Sequence, residues 1–153
     1  MLKLLSHRAV KAGLLALVLS GSAWAAQPPA SGLGQAWPNA ADVSTNPNFH
    51  AYVFVLGGIQ YVQINDVNGN VLGAVGTSNG QFITLPIGLF SQQVATPQQA
   101  PSASTTATPT ATSTTVYQDT ATTVTATPLS DGTLQLRAAS ICNDPVECNT
   151  HIN

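Results

Sequence analysis

The informative stretch begins at His50, where short runs rich in β-branched and aromatic residues alternate with pairs of turn-forming residues. The runs are His50 to Leu56, Ile59 to Asn65, Val71 to Gly76 and Gln81 to Ile87, separated by Gly57-Gly58, Asn68-Gly69 and Asn79-Gly80. Asn-Gly and Gly-Gly pairs suit type I′ turns, whose two central residues both need positive φ. The pattern predicts a four-stranded antiparallel meander over residues 50–87. Two-residue turns also fix the register: Phe54 opposite Tyr61, Val53 opposite Val62, Val62 opposite Val75, and Gly76 opposite Ile83.

That register sorts the side chains onto two faces. Tyr52, Phe54, Tyr61, Leu72, Ile83 and Leu85 share one, and Val53, Val55, Val62, Ile64, Val75 and Phe82 share the other. An antiparallel sheet with one wet side alternates apolar with polar, whereas both faces here are apolar. The second face therefore needs a cover. Residues 116–153 supply a candidate: Thr/Val-rich sequence from Thr114 to Thr127, a turn signal at Leu129-Ser130-Asp131-Gly132, and Leu134 and Leu136 alternating with polar neighbours, which together predict a C-terminal hairpin. The expected fold is all-β, a sandwich-like or open-barrel pairing of meander and hairpin.

Between them, residues 91–115 hold eight Thr, five Ala, four Ser, four Gln, three Pro and one Val, with no charge. So few apolar side chains offer little to offset ordering entropy, and the tract is expected to be a flexible segment. Residues 26–49, rich in Pro, Gly, Asn and Ser, form an irregular lead-in in which Trp37 can dock on the domain as an anchor, although an ordinary core-covering aromatic is the favoured reading. Residues 1–25 carry the three parts of a secretory signal: Lys3, Arg8 and Lys11, then an apolar run from Ala12 to Leu19, then Ala23-Trp24-Ala25. The run is far below the ~20 residues a membrane-crossing helix needs. Cleavage after Ala25, a periplasmic or secreted location and no membrane insertion afterwards are expected.

Charge changes the picture most once the signal is set aside. Residues 26–153 keep Arg137 as their one fixed cation against six acids, a net charge of 1 − 6 = −5. Binding of nucleic acid by a Lys/Arg patch that neutralises phosphates is excluded, because the cations are missing. Catalytic signatures are lacking too, with two histidines after residue 25, His50 and His151, and no Gly-x-Ser-x-Gly. A triad of Ser, His50 and Asp66 can be written down, but triads are defined by geometry. No enzyme, no cofactor and no metal site is expected. Asp66-Val67-Asn68-Gly69-Asn70 spaces oxygen ligands like the start of a calcium loop, yet Val71 and Thr77 stand where that loop wants Gly and Glu, and a hairpin turn explains the same residues. Cys142 and Cys148 are expected to form one disulfide, because the alternative zinc spacing with His151, C-x5-C-x2-H, is unusual.

The segment Tyr61 to Leu72 resembles the strand-turn-strand of PepSY-type periplasmic domains. That resemblance implies a protease-inhibiting or other binding role without catalytic residues. The family places a helix before this hairpin, and residues 26–49 offer none. From the residues themselves, the functional expectation is an exported, noncatalytic protein that binds an envelope or extracellular protein or glycan, or serves a structural role there. Tyr52, Phe54 and Tyr61 are read first as core; if the hairpin covers the opposite face and leaves them partly exposed, they are the candidate binding face for a sugar ring or an apolar partner. The sequence is silent on oligomeric state.

Overall fold

The computed structural model describes residues 29–103 and 106–141. Its strands are β1 (Phe49–Leu56), β2 (Ile59–Asp66), β3 (Val71–Ser78), β4 (Gln81–Thr84), β5 (Val94–Ala95), β6 (Thr114–Gln118), β7 (Thr122–Pro128) and β8 (Leu134–Ser140), with one turn of 3-10 helix at Ser91–Gln93. They form two four-stranded sheets, ordered β1-β2-β3-β4 and β5-β8-β7-β6. The first is the antiparallel meander. The second is mixed, because β5 runs parallel to β8. The described residues are all-β and build two facing sheets rather than a closed barrel. Cys142 and Cys148 lie outside the described residues, as do residues 1–28.

Turn chemistry dictates the meander. Gly57 and Gly58 have φ of 59° and 81°, and Asn79 and Gly80 have φ of 50° and 76°, as type I′ turns require. The expected pairs follow: Phe54 with Tyr61, Val53 with Val62, Val62 with Val75, and Gly76 with Ile83. The middle turn differs in kind. Only Gly69 has positive φ there, and Asp66 takes both ends of the loop, accepting from the Asn68 and Asn70 amides at 2.8 and 2.9 Å. The extra residue is absorbed by a register shift next to Ile64 and Asn65, so pairing beyond the turn is unchanged. β4 ends at Thr84, earlier than the apolar run to Ile87 suggests, because Pro86 has no amide to donate. The chain then returns beside β3, where Leu89 and Phe90 donate to the Val71 and Leu72 carbonyls.

The face carrying Val53, Val62, Ile64, Val75 and Phe82 does acquire its cover. Val62, Ile64, Val75 and Phe82 join Val94, Val116, Val124, Ala126, Leu136 and Ala138 of the second sheet in one buried cluster. The expected C-terminal hairpin is β7–β8, flanked by β6 on one side and β5 on the other. The Thr-rich run from Thr114 to Thr127 is two strands rather than one. It breaks at Asp119, whose Oδ1 accepts the amides of Ala121 and Thr122 at 2.7 and 2.6 Å. A register shift between Thr115 and Tyr117 lets the consecutive residues Val116 and Tyr117 both become buried.

That shift delivers a polar clamp across the seam of the sandwich. Gln60 Nε2 on β2 donates to Tyr117 Oη and to Asp119 Oδ2, each at 2.9 Å, and Tyr117 Oη donates to Asp119 Oδ2 at 2.7 Å. Partial burial alone would raise the Asp119 pKa, but hydrogen bonds from Gln60, Tyr117 and the two backbone amides outweigh it and hold the pKa at about 2. Tyr117 is pushed well above the usual phenol range by burial and by its bond to the carboxylate.

Two outcomes follow. The folded Asp119 pKa lies below the unfolded value of about 3.9, so its contribution is fully present above about pH 4 and disappears as pH falls toward 2. Asp119→Asn is expected to show a shallower loss of stability over that window than the wild type in urea unfolding at stepped pH. At Gly88 (φ 100°), a Cβ would stand 2.5 Å from the Leu72 carbonyl carbon, whereas at Gly57 it would meet nothing within 4 Å. Gly88→Ala is expected to cost at least about 2 kcal/mol and Gly57→Ala about 1 kcal/mol, read from urea midpoints.

Candidate functional site

The meander face that bears Tyr52, Phe54 and Tyr61 also bears two amides, Gln63 and Asn65, placed there by strand alternation. Both are 0% exposed. A buried amide without partners is costly, and these two find theirs in the lead-in. Gln63 Oε1 accepts the Gly34 amide at 2.6 Å, Gln63 Nε2 donates to the Gln35 carbonyl and to Asn65 Oδ1, both at 2.8 Å, and Asn65 Nδ2 donates to the Ala36 carbonyl at 2.7 Å. Residues 34–36 are thereby seated backbone-first on the sheet.

The next residue is Trp37. A Cβ placed on Gly69 would lie 2.6 to 2.8 Å from Trp37 Cε2, Cζ2 and Nε1, and such near-equal distances to three ring atoms put the indole flat over the turn glycine. Its inner face is therefore supported while the residue as a whole stays 59% exposed. Leaving that much indole in water forgoes on the order of 3 kcal/mol of hydrophobic burial. His50 makes a T-shaped contact with it, ring centroids 5.4 Å apart and planes at 65°, and stacks in turn on Tyr52 at 6.2 Å and 22°. An aromatic row thus runs from the interior to the surface: Phe54 (1% exposed), Tyr52 (5%), partly exposed His50, and Trp37.

His50 is oriented by Asp42. Its Nδ1 lies 2.7 Å from Asp42 Oδ2, while Asp42 Oδ1 accepts the Ala51 and Ser44 amides at 3.0 and 2.9 Å. Burial works to raise the Asp42 pKa, but the His50 bond and the two amides prevail and hold the carboxyl below its ordinary range. Burial, with the nearby Asp42 charge, raises the Tyr52 phenol. Because Nδ1 is engaged, the imidazole keeps Nε2 for any external partner.

The three candidate binding residues lie on one face, but at different depths. Phe54 pairs with Tyr61, and Tyr61 meets Ile83 over Gly76, with Tyr61 half-buried and Ile83 more than half exposed. Only Tyr61 of the three presents appreciable surface. Asp66 is not brought to His50 as a triad partner. It is engaged within its own turn, where its pKa is lowered chiefly by the Asn70 side-chain amide. A shallow depression lined by Thr84, Leu85, Pro86, Ser91, Gln92 and Ser102 contains none of the aromatic residues. Among the described residues no three His, Cys, Asp or Glu side chains come together as a metal-holding group.

Sequence reasoning missed Gln63, Asn65 and Asp42. The signal for the first two is a pair of amides at i and i+2 on a face otherwise filled by Tyr, Phe and Leu, which calls for polar backbone opposite them. Asp42 lies in irregular sequence and carries no comparable mark. Compared with family models, curated proteins and solved structures, the chain finds no match.

Asn65→Leu is nearly isosteric, yet it strands the Ala36 carbonyl and a donor on Gln63. A loss of about 2–3 kcal/mol in urea unfolding is expected. Trp37 is the only tryptophan after residue 25, so faster acrylamide quenching of its fluorescence is the accompanying sign that the lead-in has come off the sheet.

Proposed function

We propose that the protein is an exported, noncatalytic binding protein of the cell envelope that holds a macromolecular partner on the Trp37–His50 edge of its first sheet. The observation that carries this reading is the supported but open indole of Trp37, pinned on Gly69 beside an imidazole whose orientation Asp42 sets. An exposed large aromatic held rigidly in place suits an interface anchor, since little freedom remains to be lost on binding. Most other polar machinery described above is turned inward: Asp66 and Asp119 hold turns, and Gln60, Gln63 and Asn65 join separate parts of the chain. Export is supported by the basic, apolar and small-residue sequence of residues 1–25.

A second reading keeps the aromatic sheet face as the contact surface, on the strength of Tyr61 with the half-exposed Leu56 and Ile83 at its far end. The two make opposite predictions. Capture of a partner from an envelope fraction is expected to be lost with Trp37→Ala and retained with Tyr61→Ala, both variants being first checked for an unchanged fold by circular dichroism. Capture that survives Trp37→Ala and fails with Tyr61→Ala favours the sheet face.

A further inference from the structure

The chemistry around Trp37 narrows the class of ligand. We infer that the Trp37–His50 edge is a subsite for a neutral pyranose ring of a glycan; this rests on the reading that the same edge is the binding surface. Three features lead to it.

The first is shape. The indole rests on Gly69, and the residue is still 59% exposed, which suits a platform better than a slot or a cage. A pyranose presents one flank of C–H bonds, weakly positive, to the negative face of an aromatic ring, and keeps its hydroxyls at the rim. The second is the rim itself. His50 makes a T-shaped contact with the indole at 5.4 Å, with Nδ1 committed to Asp42. With Nδ1–H donating to the carboxylate, Nε2 of the neutral ring accepts from a sugar hydroxyl, which can donate. Asn68 and Asn70 flank Gly69 in the turn beneath the indole, and both are exposed; Asn70 Nδ2 already donates to Asp66 Oδ2, which leaves its Oδ1 as the acceptor on offer. Amides, imidazole and an indole N–H form a set suited to polyols.

The third is charge. The acids nearest this edge are Asp42, bonded to His50, and Asp66, in the turn that carries Gly69. Among the described residues the one arginine, Arg137, sits on β8 in the other sheet, and there is no lysine. Phosphate, sulfate or uronate groups would meet negative charge without a compensating cation. A neutral sugar incurs no such penalty. A quaternary ammonium could also sit on an indole, but such ligands are usually enclosed by several aromatic faces, and in this aromatic row Tyr52 and Phe54 are buried while Trp37 is the exposed member.

The test titrates the whole chain from residue 26 onward with neutral oligosaccharides built from glucose, mannose, galactose and N-acetylglucosamine, alongside polygalacturonate and choline, up to millimolar concentration. Trp37 fluorescence and calorimetry are the readouts. At least one neutral glycan is expected to give saturable binding, weakened about tenfold or more by Trp37→Ala, the scale of an anchor residue, and several-fold by His50→Ala. Unchanged thermal unfolding of both variants shows that the loss is local. Binding confined to choline or polygalacturonate, neutral-glycan binding that ignores Trp37→Ala, or no binding by any neutral glycan overturns the assignment. The envelope capture experiment separates this failure from that of the underlying reading. If capture still depends on Trp37 while no neutral glycan binds, the surface stands and the ligand class is wrong. If capture is also indifferent to Trp37, both fall.

Discussion

Two primary amides inside an apolar sheet face impose the constraint from which the rest of this molecule follows. Gln63 and Asn65 are fully buried on β2, and between them they satisfy one lead-in amide and two lead-in carbonyls in addition to each other. Apolar side chains could have covered that face in many registers. Directional bonds to the backbone of residues 34–36 select one. Because residue 37 comes next, the same bonds decide where the indole lands, and Gly69 is the spot without a side chain that lets it lie flat.

The opposite face of the meander is solved by different means. Branched aliphatic residues from both sheets fill the space between them, and one polar clamp, Gln60 with Tyr117 and Asp119, marks the seam. A sheet apolar on both sides is thus covered by irregular backbone on one side and by a second sheet on the other. The scarcity of charge fits this arrangement. Asp42, Asp66, Asp119 and Asp131 each accept a backbone amide close by in sequence, so the described acids fix local conformation.

Much of the fold is legible in the sequence, for a physical reason. Gly57-Gly58 and Asn79-Gly80 admit few backbone conformations, and a two-residue turn leaves no slack in the strands it joins, so register follows from turn position. At Asn68-Gly69 the reading gave the right register with a different turn, since Asp66 contributes side-chain bonds that the dipeptide does not announce. The split of the Thr-rich run at Asp119 has no Gly or Pro to signal it; an Asx cap does the work, and it looks like any surface acid in sequence. β5, two residues long, is defined by its neighbour β8 rather than by its own composition. At the candidate site, hydrophobicity drew attention to Tyr52, Phe54 and Tyr61, while the exposed aromatic is Trp37. Its place depends on amides 26 and 28 residues further on, a long-range dependence that no local pattern contains.

The central claim is that the buried amides hold the lead-in as firmly as a strand. Hydrogen exchange at the Gly34 amide, in the chain from residue 26 onward, measures this directly, because that N–H lies in irregular backbone and bonds to the buried Gln63 Oε1. Protection close to that of the Val62 and Ile64 amides on β2 is the expected result. Exchange at the rate of an open chain while β2 stays protected would contradict the account.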